Sequence, residues 1–222
     1  MPHIILDESQ FYFPPVEEAD EEGLLVIGGQ VSPERVIEAY SKGIFPWYSD
    51  DSLPLWWSPD PRFVLFPNDL HVSRSMQKFL RKTSFQFRIN TAFKEVISHC
   101  ADINRKDQNG TWITGEMADV YIELHKQGYA HSAETWMDNK LVGGMYGIRL
   151  GKIFFGESMF SSATNASKFA FINFVQQLKR EGVELVDCQV YTEHVESLGG
   201  RLIDREDYLR LLGASPAPPV ER

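Results

Sequence analysis

Two short segments carry polar side chains that could act on a reacting group. Glu157 lies in Phe155-Gly156-Glu157-Ser158-Met159, near the end of an apolar stretch typical of a strand. Asp187 and Gln189 lie two residues apart in Val186-Asp187-Cys188-Gln189-Val190, so on a strand they share one face. A carboxylate there can orient a side-chain amide, and both can hydrogen-bond a reacting amine. The two segments therefore indicate chemistry on an amine.

Each of these residues also has a structural interpretation. Asp187 could satisfy backbone donors at a strand end, and Glu157 could pair with a structural lysine. A third polar segment, Asn165-Ala166-Ser167-Lys168, could be only the entry to a helix. The residues by themselves leave both interpretations open.

Other kinds of chemistry lack their sequence patterns. The chain has no Gly-x-Ser-x-Gly, P-loop, HExxH or dinucleotide-binding glycine pattern, and its six histidines lack the spacing of a ligand pair. Cys100 and Cys188 form no CxxC pair, which predicts free, inward-facing thiols in a reducing cytoplasm. No apolar run approaches the roughly 18 residues of a membrane helix. We therefore expect no metal site, no disulfide and no membrane span.

The charge is unevenly distributed along the chain. A net charge of −9 argues against a protein that coats nucleic acid without specificity. One segment is nonetheless basic, with only Asp69 opposing Arg62, Arg74, Lys78, Arg81, Lys82, Arg88 and Lys94. This segment is either a solvated helix face or a surface for phosphates.

The first part of the chain predicts a small domain over residues 1–62. Ser32-Pro33-Glu34 is a helix start, with serine as N-cap, proline in the first turn and an acid near the positive helix end. The helix is expected to end at Gly43. The segment that follows is rich in Trp and Pro, too apolar to be merely solvated, and should pack on something or line something.

Residues 63–213 predict an α+β domain with a central, mostly antiparallel sheet flanked by helices. Three strands, at about 130–137, 141–148 and 152–159, are separated by turns short enough for antiparallel hairpins. Asn90 is expected to cap a helix that carries Phe93. Further expected elements are a helix from Ser73, a strand at 85–89, helices at about 115–127, 166–180 and 193–198, a strand at 183–190, and a last strand and helix. Residues 214–222 are expected to form a flexible tail.

Taken together, several segments resemble the bacterial leucyl/phenylalanyl-tRNA–protein transferase family, in the same order and from about Gly23 to Leu212. They are Gly43-Ile44-Phe45-Pro46-Trp47, Trp56-Trp57-Ser58-Pro59-Asp60-Pro61-Arg62, Gly110-Thr111-Trp112-Ile113-Thr114, Leu141-Val142-Gly143-Gly144-Met145-Tyr146-Gly147, Gly156-Glu157-Ser158-Met159-Phe160-Ser161, Asn165-Ala166-Ser167-Lys168 and Asp187-Cys188-Gln189. Each segment alone is weak evidence, but their common order is specific.

The resemblance implies a small N-terminal domain joined to a domain with the fold of the acetyl-CoA-dependent N-acetyltransferases. It also implies a reaction. The α-amine of a protein with N-terminal Arg or Lys attacks the ester that joins Leu or Phe, less well Met, to tRNA, and the new N-terminus marks that protein for degradation through the N-degron pathway. The chain lacks the Gln/Arg-x-x-Gly-x-Gly/Ala loop that cradles a CoA pyrophosphate, so we expect no cofactor. A cytoplasmic monomer without membrane contact is expected.

The resemblance further assigns roles to individual residues. Asp187 and Gln189 match the pair proposed to take the proton, although the tRNA ribose hydroxyl could carry it instead. Glu157 matches an acid near the acceptor, where it would suit a guanidinium or ammonium. The other matched positions are Trp112, Tyr121, Met145, Phe154 and Phe174 for the donor side-chain pocket, and Trp47 and Tyr40 for the terminal adenosine. The basic segment is where the acceptor stem would dock, through Arg62, Arg74, Lys78, Arg81 and Lys82.

Three other functions remain open at this point. The chain could be an acyltransferase that uses acyl-CoA, a non-catalytic module that binds tRNA or a peptide, or an enzyme that transfers amino acids from tRNA to cell-wall peptides. The donor and the acceptor distinguish these possibilities.

Overall fold

The computed structural model describes residues 4–6, 12–49, 52–102 and 113–214. Within these ranges the chain forms two β-sheets with helices packed on them. The strands are β1 (Ile4–Leu6), β2 (Leu24–Gly28), β3 (Phe45–Pro46), β4 (Leu55–Trp57), β5 (Arg62–Leu65), β6 (Gln86–Ile89), β7 (Ala130–Met137), β8 (Lys140–Leu150), β9 (Ile153–Ser161), β10 (Leu185–Asp187) and β11 (Arg201–Ile203). The α-helices are α1 (Pro33–Ser41), α2 (Arg74–Lys82), α3 (Phe93–Ala101), α4 (Gly115–Lys126), α5 (Ala166–Arg180), α6 (Glu193–Glu196) and α7 (Arg205–Gly213).

The N-terminal part is a small four-stranded sheet, in the order β1-β2-β4-β3, with α1 following β2. The predicted start of α1 is confirmed, because the hydroxyl of Ser32 accepts a hydrogen bond from the backbone N–H of Arg35 at 3.2 Å. This helix buries Val36 and Tyr40, among others. It thereby brings Tyr40 into the interior of the molecule.

The large sheet has seven strands in the order β11-β5-β10-β9-β8-β7-β6. Every neighbouring pair is antiparallel except β9 and β10, which run parallel. This arrangement confirms the predicted α+β class, with a small N-terminal sheet and a larger, mostly antiparallel sheet flanked by helices. The single parallel pair matters for the site, because it lies in the middle of the sheet.

The hairpin between β7 and β8 forms where the sequence predicts it. Asp138 and Asn139 both have positive φ, 50° and 58°, as a two-residue hairpin turn requires. Asx residues tolerate this conformation better than most side chains. Local sequence is therefore sufficient to specify this turn.

The cap of α3 differs from the prediction. Asn90 is not the cap, because its side chain instead accepts from the backbone N–H of Ser132 at 2.9 Å. The buried carboxylate of Glu134, on β7, accepts from the N–H groups of Thr91 and Ala92 at 2.8 Å each. A carboxylate from a distant strand thus satisfies donors at the helix start that a local side chain usually satisfies.

The two parts of the chain share an apolar core. One buried cluster contains Tyr40 and Trp56 from the N-terminal part together with Phe155 and Tyr208 from the larger part. The predicted domain boundary at residue 62 falls at the start of β5 and remains a prediction. From residue 215 onward, the predicted tail lies outside the described residues. Among the helices of the described ranges, none has the length and apolar character needed to span a membrane.

Candidate active site

A cavity of about 590 Å³ opens where the parallel strands β9 and β10 diverge. Their last paired residues are Phe155 and Asp187. Beyond that pair, Glu157 and Ser158 line one side of the cavity, and Cys188 and Gln189 line the other. The volume lies within the usual range of small-ligand sites, roughly 300–1,000 Å³. Two of the residues that the sequence singled out for chemistry on an amine, Glu157 and Gln189, therefore meet at one opening.

Glu157 owes its position to a β-bulge. The pairing of β8 with β9 shifts between Tyr146 and Gly147, so that Glu157 is the extra residue on β9. A bulge turns a side chain away from the direction that regular pleating would give it. The shift places Glu157 where it both lines the cavity and reaches the interior behind it.

The carboxylate of Glu157 has three hydrogen-bond donors. Its Oε1 accepts from the hydroxyl of Tyr40 at 2.7 Å and from Nε2 of Gln189 at 3.2 Å, and its Oε2 accepts from the hydroxyl of Tyr121 at 2.9 Å. Burial raises the pKa of Glu157 to about 7, although the two tyrosine hydroxyls act in the opposite direction. A carboxyl group with such a pKa can exchange a proton near neutral pH.

Tyr40 and Tyr121 support Glu157 from behind. Both are without solvent exposure, and their hydroxyl oxygens lie 2.9 Å apart. Burial and the nearby Glu157 carboxylate raise the pKa of each phenol well above its usual range, so both stay protonated. Tyr40 packs edge-to-face on Phe155 with 4.8 Å between ring centroids. The ring of Tyr40 has no solvent exposure, and its assignment to the terminal adenosine stays a prediction.

Asp187 faces away from the cavity. The guanidinium of Arg62 donates to it twice, Nε to Oδ1 at 2.9 Å and Nη2 to Oδ2 at 2.7 Å. The hydroxyl of Tyr208 donates to Oδ2 at 2.8 Å, and the backbone N–H of Gln189 donates to Oδ1 at 2.9 Å. Neither Arg62 nor Asp187 has any solvent exposure. The predicted contact of Arg62 with tRNA phosphate is therefore wrong, because a phosphate cannot reach a buried guanidinium that is already paired.

Gln189 reaches Glu157 through a turn and not through a strand face. The strand β10 ends at Asp187, short of the predicted Val190. Gln189 has a φ of 57°, and the N–H of Val190 donates to the carbonyl of Cys188 at 2.7 Å, which closes a three-residue turn. Such a turn is strained for a residue with a side chain and is found mainly where function requires it. The expectation that Asp187 and Gln189 share a strand face is therefore wrong, because Gln189 lies beyond β10 and lines the cavity, whereas Asp187 does not.

An apolar wall closes the other side of the cavity. Met145 and Phe171 line it, and Phe154 and Phe174 pack edge-to-face behind them in the same cluster, 4.9 Å apart. Phe171 is absent from the predicted pocket, although its position three residues before Phe174 on a helix could have indicated a shared face. Trp112, also predicted for this pocket, lies outside the described residues.

Trp47 lines the edge of the cavity beside Phe45. The indole N–H of Trp57 donates to the backbone carbonyl of Trp47 at 2.8 Å, and the two rings lie 5.9 Å apart. This contact fixes the segment that carries Trp47. Its ring is partly exposed and so is open to a flat ligand.

The basic residues of α2 lie on the surface, as predicted. Arg74, Lys78, Arg81 and Lys82 are all exposed, and Ser73 caps the helix by accepting from the N–H of Met76 at 3.3 Å. Met76 is the buried residue of this helix. The helix therefore presents a cationic face to solvent while its apolar side packs on the sheet.

Comparison with known proteins gives matches to family models and to solved structures. The family model described as leucyl/phenylalanyl-tRNA protein transferase matches residues 64–213, and the model of that family's N-terminal domain matches residues 29–60. Among solved structures, L-PGS from Bacillus licheniformis overlaps with 14% identity and a TM-score of 0.45, over 78% of this chain and 56% of that one. A GCN5-related N-acetyltransferase-like protein from Streptococcus suis overlaps with a TM-score of 0.37 at 13% identity, over 81% of this chain and 67% of that one.

Similar sequences carry one common description. The leucyl/phenylalanyl-tRNA–protein transferase of Flavobacterium johnsoniae is 57% identical over 201 residues, which cover 90% of this chain and 95% of the relative. Those of Christiangramia forsetii and Nitrosospira multiformis are each 54% identical, over 90% and 92% of this chain and 95% and 88% of theirs. The chain therefore belongs to the leucyl/phenylalanyl-tRNA–protein transferase family.

Proposed function

We propose that this protein moves leucine or phenylalanine, less well methionine, from aminoacyl-tRNA to the α-amine of proteins that begin with Arg or Lys. The observation that carries the proposal is the cavity between β9 and β10 in a member of this aminoacyltransferase family, because its lining combines an apolar wall with the half-buried carboxylate of Glu157. The donor and the acceptor of such a transfer need these two kinds of surface.

The apolar wall receives the side chain of the donor amino acid. Met145 and Phe171 contact it, with Phe154 and Phe174 as a rigid backing. Methionine adapts its shape at low cost, which suits a wall that admits both a branched and a planar side chain. Trp47 at the edge of the cavity is placed to stack on the terminal adenosine, since stacking on an aromatic ring is the usual way to hold an exposed base.

The polar side of the cavity receives the acceptor. Glu157 pairs with the α-ammonium, and the side-chain amide of Gln189, itself bonded to Glu157, orients the same nitrogen. The amine then attacks the ester carbonyl, a new N–C bond forms, and the C–O bond to the tRNA ribose breaks. Replacing an ester by an amide is downhill, so the enzyme needs only to place the two substrates and manage protons.

The body of the tRNA lies on α2. Arg74, Lys78, Arg81 and Lys82 form an exposed cationic face in a chain with a net charge of −9. Contacts to phosphates are independent of base sequence and weaken with salt. We further propose that the protein works as a cytoplasmic monomer and that the product enters the N-degron pathway.

The decisive experiment is single-turnover transfer of labelled leucine from Leu-tRNA to a peptide that begins with Arg, beside the same peptide beginning with Ala. Transfer to the Arg peptide alone supports the proposal. Transfer to neither, by folded protein that still binds tRNA, contradicts it. A parallel reaction with acetyl-CoA tests the acyl-CoA alternative, and one with a cell-wall precursor peptide tests the remaining acceptor.

A further inference from the structure

We infer that Glu157, and not Asp187, takes the proton from the attacking α-ammonium, with Tyr40 and Tyr121 holding the carboxylate in place. Asp187 is then a positioning residue that fixes the turn at Gln189. This assignment rests on the proposed function, since it concerns the same cavity and the same reaction. The assignment depends on which of the two carboxylates still has a free lone pair that can accept a proton.

Asp187 has no acceptor position left. A carboxylate offers about four lone-pair sites, and the four donors to Asp187 come from Arg62 twice, from Tyr208 and from the backbone of Gln189. The carboxylate is fully buried and does not line the cavity. A proton on this carboxylate would leave the buried guanidinium of Arg62 without its charged partner, which is costly in the interior.

Glu157 has a position left. Three donors use three of the roughly four lone-pair sites of its carboxylate. One site therefore remains for an N–H in the cavity that Glu157 lines. The amide of Gln189 cannot substitute, because a neutral amide is not a base at neutral pH. Glu157 is therefore the carboxylate that an incoming ammonium meets.

The two tyrosines form a network that can hold one additional proton. Three oxygen–oxygen contacts link Tyr40, Tyr121 and Glu157, at 2.7, 2.9 and 2.9 Å. Two phenol hydrogens can serve only two of these contacts while Glu157 is charged. When Glu157 gains a proton, three hydrogens serve three contacts, so rotation of the hydroxyls completes the ring. The network can therefore take up the proton without expelling either tyrosine, although burial, and not the two hydroxyls, is what raises the pKa of Glu157.

The groups that face Glu157 come from four elements. Tyr40 on α1 and Tyr121 on α4 donate to it, Gln189 follows β10, and Asp187 and Arg62 act on it electrostatically from β10 and β5. Burial is the largest influence and raises the pKa of Glu157 to about 7, with Asp187 adding to the rise and Arg62 opposing it. A base with this pKa is largely ionised just above neutral pH and can still accept a proton.

The proton and electron balance is complete without a cofactor. The α-ammonium gives one proton to Glu157, and its lone pair then forms the bond to the ester carbon. The second proton leaves the same nitrogen for the departing ribose oxygen as the C–O bond breaks. Glu157 afterwards releases its proton to water, which accounts for the one proton that the overall reaction produces.

The test compares Glu157→Gln with wild type on two acceptors that share an N-terminal Arg side chain. One acceptor has its ordinary α-amine, and the other has an aminooxy group, which is already neutral at pH 7. We expect kcat for the amine acceptor to fall about 100-fold or more, and kcat for the aminooxy acceptor to change little. Glu184→Gln, an exposed acid paired with Lys152, is the matched control and should behave like wild type.

Two results would overturn the assignment. A rise in KM for both acceptors with kcat unchanged would make Glu157 a ligand of the acceptor side chain. Equal loss of kcat on both acceptors, in protein that keeps its melting temperature, would make its role structural or electrostatic. Failure of wild type with the Arg peptide would instead contradict the proposed function, and so the two failures are distinguishable.

A second variant covers the case in which Glu157→Gln does not fold. Tyr121→Phe removes a hydrogen bond that lowers the pKa of Glu157, so the base form should appear at higher pH. The rise of kcat with pH at saturating acceptor should therefore move to higher pH than in wild type. An unmoved pH profile in folded Tyr121→Phe would contradict the assignment.

Discussion

The guanidinium of Arg62 and the carboxylate of Asp187 form a buried, two-point ion pair between β5 and β10. The rings of Phe45 and Tyr208 each lie 4.7 Å from the Arg62 guanidinium carbon. The pair therefore holds together the strand that begins the large sheet, the strand that ends beside the cavity, and the last helix. The backbone N–H of Gln189 donates to the same carboxylate, so the pair also contacts the turn that carries Gln189.

Removing one partner of this pair should lower the stability of the protein more than removing an exposed charge does. Arg62→Met leaves Asp187 buried without its partner, and we expect the free energy of unfolding to fall by about 3–5 kcal/mol. Urea unfolding followed by circular dichroism measures this loss. Arg74→Met, an exposed residue on α2, is the control and should change stability by less than about 0.5 kcal/mol. Equal effects of the two substitutions would contradict the structural role of the pair.

The carboxylate of Glu134 should make stability depend on pH. Burial alone would raise its pKa, but hydrogen bonds from Thr91, Trp136, Ala92 and Ser132 outweigh burial and hold the pKa below its usual value of 4.5. A depressed pKa contributes stability above the unfolded value, and this contribution is lost as the pH falls through the folded value. Glu134→Gln should therefore be less stable than wild type by about 1.5–3 kcal/mol at pH 7. The difference should shrink below pH 4.5, and a constant difference across this range would count against the argument.

The wall residue Met145 should set the preference among donors. Met145→Ala removes contacts that a smaller leucine side chain needs, whereas phenylalanine can fill part of the new space. We expect kcat/KM for Leu-tRNA to fall about 10-fold or more and the value for Phe-tRNA to fall less. Met137→Ala, at the end of β7 and outside the cavity lining, is the control. An equal fall in kcat/KM for both donors would indicate that the donor side chain does not bind at Met145.

The cationic face of α2 should bind tRNA through phosphates. Replacing Lys78 and Arg81 together by Ala should weaken binding to all aminoacyl-tRNAs by a similar factor. The slope of log affinity against log salt should also become shallower by about 2. Filter binding at several salt concentrations measures both effects. The control replaces Lys179 and Arg180, an exposed pair at the far end of α5, and should leave the slope unchanged.

The sequence by itself determined the elements whose signals are local. Ser32 with Pro33 starts α1, and the Asp138-Asn139 turn joins β7 to β8, because neighbouring residues alone provide the cap and the positive φ angles. Together with the ordered segments that resemble the family, these signals also indicated the α+β class and the two polar residues that meet at the cavity, Glu157 and Gln189. Signals within one segment do not depend on the rest of the chain, so they can be interpreted without a structure.

The tertiary structure decided what each polar residue does. Asp187 binds Arg62, which is 125 positions away, and Glu157 binds Tyr40, which is 117 positions away. Nothing local in the sequence distinguishes the saturated carboxylate from the one with room for a proton, or the buried Arg62 from the exposed Arg74. Burial and hydrogen-bond partners set the pKa and the accessibility of a group, and both depend on segments that become neighbours only when the chain folds.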